Sequence, residues 1–190
     1  FQEGFDELAL RYGPLRAWVH IAGEDMRGAV GFNADPLDYD DQERWNYFFL
    51  NGALGSVSLA DFNLGGLGGV NIPPLKVFDM QVEGITFGPV RFSNSSINGE
   101  MDDTGFRFSV AGPEVQANLV YENDDKLFLS FDSLKLPAFD VPVFGEQIPG
   151  SIPEIEVSIN NLYVGDSSYG QLRFNFFEES NTLYFKEIDA

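Results

Sequence analysis

Apolar and polar residues alternate with a period of two along most of this chain, most cleanly in its last third. Ile155, Val157 and Ile159 alternate with Glu156, Ser158 and Asn160. Leu172, Phe174 and Phe176 alternate with Gln171, Arg173 and Asn175, and Leu183 and Phe185 with Thr182, Tyr184 and Lys186. This period puts the apolar side chains of a strand on one face of a sheet. Polar turns at 165–168 and 178–181 separate the runs, so 155–188 reads as a three-stranded antiparallel meander, wet on one face and apolar on the other. The pattern recurs upstream. Phe78, Met80 and Val82 alternate with Asp79, Gln81 and Glu83, and after a shift at Gly84 come Ile85 and Phe87. Phe106, Phe108 and Val110 form one run, and Val115, Ala117, Leu119 and Tyr121 another. Leu127, Leu129 and Phe131 share a face until the phase slips at Ser133, where Leu134 and Leu136 take over and predict a bulge.

The first seventy residues follow the pattern less closely. Phe5, Leu8 and Tyr12 stand at spacings of three and four, which allows a short amphipathic helix over 1–12, ended by Gly13-Pro14. Residues 15–22 and 27–32 read as a hairpin turning at 23–25. Residues 45–50 and 53–60 read as a second, because Asn51-Gly52 is a strong hairpin signal. Four prolines over 137–153 predict an extended crossover that is poor in ladder donors. The expected fold is all-β, an elongated, curved antiparallel sheet of roughly ten strands with at most one or two short helices. Residues 1–74 would form an N-terminal strand and loop portion and 75–190 a repeated portion continuous with it.

A repeat underlies the second portion. Residues 78–87 and 155–164 superpose in phase, each with three alternating apolar residues, a break, then two more. A Gly-x-apolar-Arg-Phe run follows each, at 88–92 and 170–174, and a faint third copy starts at Val57. Strand units that repeat imply an elongated architecture in which each leans on its neighbours.

Charge narrows the partners. Thirty acidic against 11 basic residues give a net charge of −19 over 190 residues. No basic stripe is available for nucleic acid, and docking on an anionic bilayer surface is disfavoured. No apolar run approaches the roughly 18 residues that a membrane-spanning helix needs. Cysteine is absent, which excludes disulfides and thiolate chemistry. The acidic stretch 33–44 lacks the turn glycine and final glutamate of an EF-hand, so solvation is favoured over calcium. The glycine-rich 65–69 has no following Lys-Ser/Thr and reads as a connection rather than a phosphate cradle. His20 is the single histidine and shares a strand face with Trp18, so no triad or metal cluster assembles around it. The carboxylate pairs Asp102-Asp103, Asp124-Asp125 and Glu178-Glu179 fall at turns. No catalytic residue, metal ligand or cofactor is assigned, and a glycan-cleaving enzyme is kept only as a minor reading.

The stretch 131–137 (Phe-Asp-Ser-Leu-Lys-Leu-Pro), a proline-containing spacer, then 152–165 and 169–174 together resemble the YhdP branch of the AsmA-like proteins. The similarity covers about residues 75–190 and rests on patterns of apolar residues. The resemblance implies a periplasmic segment of a long, inner-membrane-anchored envelope protein. It implies too a taco-like groove that carries phospholipid acyl chains between inner and outer membranes. The strong negative charge is no part of that pattern. The chain, which starts at Phe1 and stops just after a strand, is then expected to be one internal segment, with the rest of the same chain as partner at both ends.

The residues alone leave two ways of covering the apolar face, a closed sandwich being the default for an all-β chain, and the repeat and the resemblance favour the trough. An apolar sheet face must be buried against something, and one or two short helices cannot cover roughly ten strands. Either the sheet closes as a sandwich, a structural or interaction module, or it curls into a trough that takes a ligand. The expected lining is Phe78, Met80, Val82, Phe106, Phe108, Val110, Val115, Leu119, Leu127, Leu129, Phe131, Ile155, Val157, Ile159, Leu172, Phe174, Phe176, Leu183 and Phe185. It suits acyl chains, each buried methylene contributing ~0.8 kcal/mol.

Overall fold

The computed structural model describes residues 6–22, 25–37, 47–58, 74–87, 90–122, 126–138, 154–179 and 182–189. They form twelve strands and, among the described residues, no helix. The strands are β1 (Asp6–Tyr12), β2 (Leu15–Ala22), β3 (Asp25–Phe32), β4 (Phe48–Ser58), β5 (Leu75–Phe87) and β6 (Val90–Asp102). The rest are β7 (Gly105–Ala111), β8 (Val115–Glu122), β9 (Lys126–Leu136), β10 (Glu154–Val164), β11 (Ser167–Glu179) and β12 (Thr182–Asp189). All twelve lie side by side in chain order in one elongated, curved sheet that does not close, with β1 and β12 as its edges. At ~4.8 Å per strand spacing the sheet extends for roughly 50 Å.

The sheet is mixed rather than antiparallel throughout. β3 and β4, β4 and β5, and β9 and β10 run parallel; every other pair is antiparallel. Connection length explains which is which. The antiparallel pairs are joined by two or three residues, whereas the parallel pairs are joined by 33–47, 59–74 and 137–153. A parallel pair needs a crossover of a dozen or more residues, because the chain must return to the starting end of the sheet.

Two expectations near the N-terminus are corrected. Residues 6–12 form a strand, paired along its length with β2 from Asp6–Ile21 to Tyr12–Leu15, and not a helix. Leu8 and Tyr12 are four residues apart, as on a helix, but with Leu10 between them they also alternate at period two, and Gly4 with the short length made a helix weak. Asn51-Gly52 is no hairpin turn: β4 runs straight through it. Gly52 (φ 113) lies against the Phe32 carbonyl, and the Asn51 side chain is taken up by the crossover that follows β3. Its Nδ2 donates to the Asp35 carbonyl at 3.0 Å and its Oδ1 accepts from Leu37 N at 3.3 Å. Arg16 pairs with Asp35, and Trp18 Nε1 donates to the Leu37 carbonyl at 3.1 Å. The described part of this crossover therefore lies over the Arg16–Trp18–Asn51 face. The acidic residues beyond it, the glycine-rich 65–69 and most of 137–153 lie outside the described residues.

Apolar side chains of successive strands gather on the other face. One cluster contains Val77, Met80, Val82 and Ile85 of β5, with Leu50, Leu54 and Val57 of β4 packed on them. The other contains Val115, Ala117, Leu127, Leu134, Ile155, Val157 and Ile159. Phe92 and Val110 touch both, so the face is continuous.

That continuity depends on phase slips that neighbouring strands make together. Leu54 pairs with Val82 and Val57 with Ile85, a three-residue step in both strands, and Asn94 on β6 takes φ 47 beside it. Phe131 pairs with Ile159 and Leu134 with Leu162, the same step in the second half. The offset along the chain between parallel partners is identical in the two halves, from Leu54 to Val82 and from Phe131 to Ile159. Val82 and Ile85 also occupy the same positions within 78–87 as Ile159 and Leu162 do within 155–164. The slips expected at Gly84 and Ser133 are thus equivalent points of one repeated unit. The Gly-x-apolar-Arg-Phe runs, in contrast, do not correspond by register. Phe92 pairs with Ile85, while Phe174 pairs with Val157 and it is Gly170 that pairs with Leu162.

Candidate functional site: an apolar trough

β5 shows how the sequence builds the trough face. Its apolar positions are Val77, Met80, Val82 and Ile85, and Val82 retains 1 % of its accessible surface. A bulge between Val77 and Met80 puts both on the same face. Asp79 adopts φ 43 there, and its amide donates to Asn98 Oδ1 at 2.8 Å. The bulge turns Phe78, expected in the lining, to the opposite face, where it stacks on Phe49 with ring centroids 5.8 Å apart. Val77 takes its place.

The other expected lining residues fall as follows. Met80, Val82, Val115, Leu127, Ile155, Val157 and Ile159 form the buried floor. Phe106, Phe108, Val110, Leu119, Leu129, Phe131, Leu172, Phe174 and Phe176 are half-buried on the same face, packed on that floor and still open to a ligand. Leu183 and Phe185 pair with Glu178 and Phe176 across β11 and β12; their side chains lie outside the described residues. Aromatic rings form the upper layer. Phe106 stacks on Tyr121 and sits beside Phe108, each at 5.4 Å, and Phe174 stacks on Phe176 at 6.3 Å. Gly99, directly across from Phe108, has no side chain, which leaves room for the Phe108 ring.

Sequence reasoning did not include Leu50, Leu54, Phe92, Ile97 and Leu162 in the lining, although the structure places them there. For Leu162 the signal was present: the three-residue step seen at Phe131–Leu134 recurs at Ile159–Leu162. Ser95 is the polar exception, fully buried on this face, its hydroxyl donating toward the Ser93 carbonyl at 3.5 Å.

Among the described residues, charge is confined to the other face and the strand ends. By the strand alternation, every described lysine and arginine on a strand is out of phase with the lining. Ser158 and Ser130, and Asn160 and Asp132, are bonded across β9 and β10 on that polar side, at 3.2 and 3.3 Å. Asn161 Nδ2 donates to the Asp132 carbonyl at 2.9 Å and pins the slip. At the tip between β6 and β7 the Asp102 carboxyl is held below its ordinary range, because the Thr104 hydroxyl and amide both donate to it, at 2.5 and 2.8 Å. His20 packs edge-on against Trp18, centroids 5.0 Å apart. No group of three or more potential metal ligands occurs among the described residues.

Among the described residues, this face offers a continuous apolar surface. It can bury a hydrocarbon chain and leaves any polar part of the same molecule at the rims. Compared with protein-family models, with curated proteins and with solved structures, the chain matches none.

Proposed function

We propose that this chain is a non-catalytic lipid-conducting segment. Its trough carries phospholipid acyl chains, as part of an inner-membrane-anchored envelope protein that crosses the periplasm toward the outer membrane. The observation that carries the reading is the continuous, uncharged apolar face of an open sheet, with half-buried phenylalanines along it. A trough of roughly 50 Å exceeds the ~15 Å that an acyl chain occupies in one leaflet of a ~30 Å hydrocarbon core, so chains would lie along it in succession. The edge strands β1 and β12 are where neighbouring parts of a longer chain would add further strands. Leu8 and Leu10, 61 % and 59 % exposed on β1, are placed to extend the lining.

The competing reading is a structural or interaction module without a ligand. It was expected as a closed sandwich, but the described residues form one open sheet with no second sheet facing it. Native mass spectrometry of the purified protein tests the proposal. Co-purified phospholipid that is lost when a charge replaces Phe174 supports it. A ligand-free protein that takes up no phospholipid from vesicles would leave the module reading.

A further inference from the structure

Three apolar rows cross the sheet. Residues opposite one another on neighbouring strands share a face, so each row can be followed through the strand pairing. The middle row starts at Leu10 on β1, passes through Val30, Val77 and Phe108, and reaches Phe174 on β11. On one side of it a row runs from Leu8 through Phe48 and Phe106 to Phe176. On the other side a row runs from Tyr12 through Met80 and Val110 to Leu172. No position in the three rows is charged. Where a row meets Gly28 or Gly99, the ring of Phe48 or Phe108 closes over the missing side chain.

Between the edges, the face is narrowest at β7. Beyond the Tyr12–Leu172 row, β4 and β5 add Leu54, Val82 and Ile85, and β8–β10 add Val115, Leu134 and Leu162. β7 ends at Ala111, and its inward side chains are Phe106, Phe108 and Val110 alone. Rows two residues apart along a strand stand ~6.7 Å apart, so the strip over β7 measures about 13 Å between its outer rows. A chain carbon midway between two rows lies ~3.4 Å to the side of each, and rising about 2 Å brings it to the ~4 Å carbon contact distance of both. Three rows therefore enclose two furrows, themselves ~6.7 Å apart, which seat two chains without overlap.

We infer that acyl chains cross β7 two abreast, one in each furrow, so that the trough takes two-chained lipids one behind another. The inference rests on the lipid-trough reading and adds to it the number of chains carried side by side and the residues that set it. Phe106 borders one furrow and Val110 the other, while Phe108, in the middle row, borders both. On β8 the same three places are held by Tyr121, Ala117 and Leu119. A lipid with a single chain fills one furrow and leaves the second open to another of its kind.

Native mass spectrometry of the full chain tests it, with the protein saturated either by phosphatidylglycerol from vesicles or by lysophosphatidylglycerol, which shares the headgroup and has one chain. About twice as many lysolipids as two-chained lipids should bind, because each chain buries its methylenes in one furrow. Equal saturating numbers overturn the two-abreast arrangement alone. Binding of neither lipid overturns the lipid reading, and the arrangement with it. A lysophosphatidylglycerol with a diazirine in its chain then locates the furrows, its adducts mapped on variants whose circular dichroism matches wild type. In Phe106→Lys, adducts on Tyr121 should fall at least about tenfold while those on Val110 persist. In Phe108→Lys, where the charge stands in the shared row, adducts on both should fall, and persistence on either overturns the assignment of Phe108 to both furrows. Leu119→Lys, the middle-row neighbour on β8, serves in its place if Phe108→Lys does not fold.

Discussion

Replacing Gly52 by alanine separates the two accounts of Asn51-Gly52. Had these residues formed a hairpin tip, a Cβ there would point to solvent and the substitution would cost about 1 kcal/mol, the penalty for leaving a turn conformation that favours glycine. In the continuous strand the cost is larger, for two reasons. The φ of 113 belongs to a region that residues with a Cβ rarely adopt, about 1–3 kcal/mol of strain. The new Cβ would also overlap the Phe32 carbonyl oxygen and stand 2.9 Å from the Phe32 carbonyl carbon and amide nitrogen. Those atoms belong to the backbone of the paired strand, so relief requires β3 and β4 to move apart. Overpacking of this kind adds about 1–3 kcal/mol. Together the loss is about 2–6 kcal/mol, a large share of the roughly 5–15 kcal/mol by which a domain is stable. Gly55→Ala is the internal control, since its Cβ would meet open space. Urea unfolding followed by tryptophan fluorescence should show Gly55→Ala near wild type and Gly52→Ala lowered in midpoint by at least ~0.7 M, for an m-value of ~2–3 kcal/mol/M. A Gly52→Ala protein within ~1 kcal/mol of the control would refute the parallel β3–β4–β5 arrangement at this point.

Further outcomes follow from other parts of the sheet. Val82→Ala removes two buried methyl groups from the trough floor and should destabilise by about 2 kcal/mol, read in the same urea experiment. Phe174→Asp sets a charge on the half-buried lining. If the trough holds acyl chains it should reduce co-purified lipid at least tenfold while circular dichroism stays unchanged, and unchanged lipid in a folded variant counts against the proposal. Asn161→Ala removes the bond to the Asp132 carbonyl. It should cost about 1 kcal/mol and speed amide exchange around 132–134 and 160–162, whereas exchange altered only elsewhere would argue against the pin. The lowered Asp102 pKa implies stabilisation that is present above the unfolded value and lost as pH falls through the folded one. In an NMR titration, Thr104→Val should move the Asp102 midpoint back up toward the ordinary carboxylate range, and no movement would discount the hydroxyl as the main cause.

Where alternation was regular, the strands and their inward residues were legible from the chain alone. From β7 to β11 every expected lining residue lies on the apolar face, and the slips at Gly84 and Ser133 were visible as breaks of phase. Phe78 was misplaced because its bulge is centred on Asp79, and an aspartate at positive φ gives no cue as strong as glycine would. The parallel pairs were missed because side-chain period reports which face a residue occupies and is silent on strand direction. Direction was written instead in the connections. Gaps of two or three residues can only reverse the chain, and the gaps 33–47, 59–74 and 137–153 are long enough to carry it back across the sheet.

The repeat gives those crossovers a purpose. A three-residue step in one strand alone would throw the rest of that strand onto the polar face, because one residue of slip exchanges the two faces. Here the parallel partner makes the same step at the same level, Leu54–Val57 beside Val82–Ile85 and Phe131–Leu134 beside Ile159–Leu162. Two parallel strands run in the same direction, so a break placed at equivalent points in both stays level across the pair. The antiparallel neighbours meet it differently. β6 makes the matching step at Asn94 with φ 47, while β8 and β11 take a two-residue step and register it as a bulge. The parallel pair is therefore the unit within which the step stays level, and it recurs at β9–β10. Steps matched in this way keep Val82, Phe92, Leu134 and Leu162 on one face, the uninterrupted face that the proposed acyl chains would need.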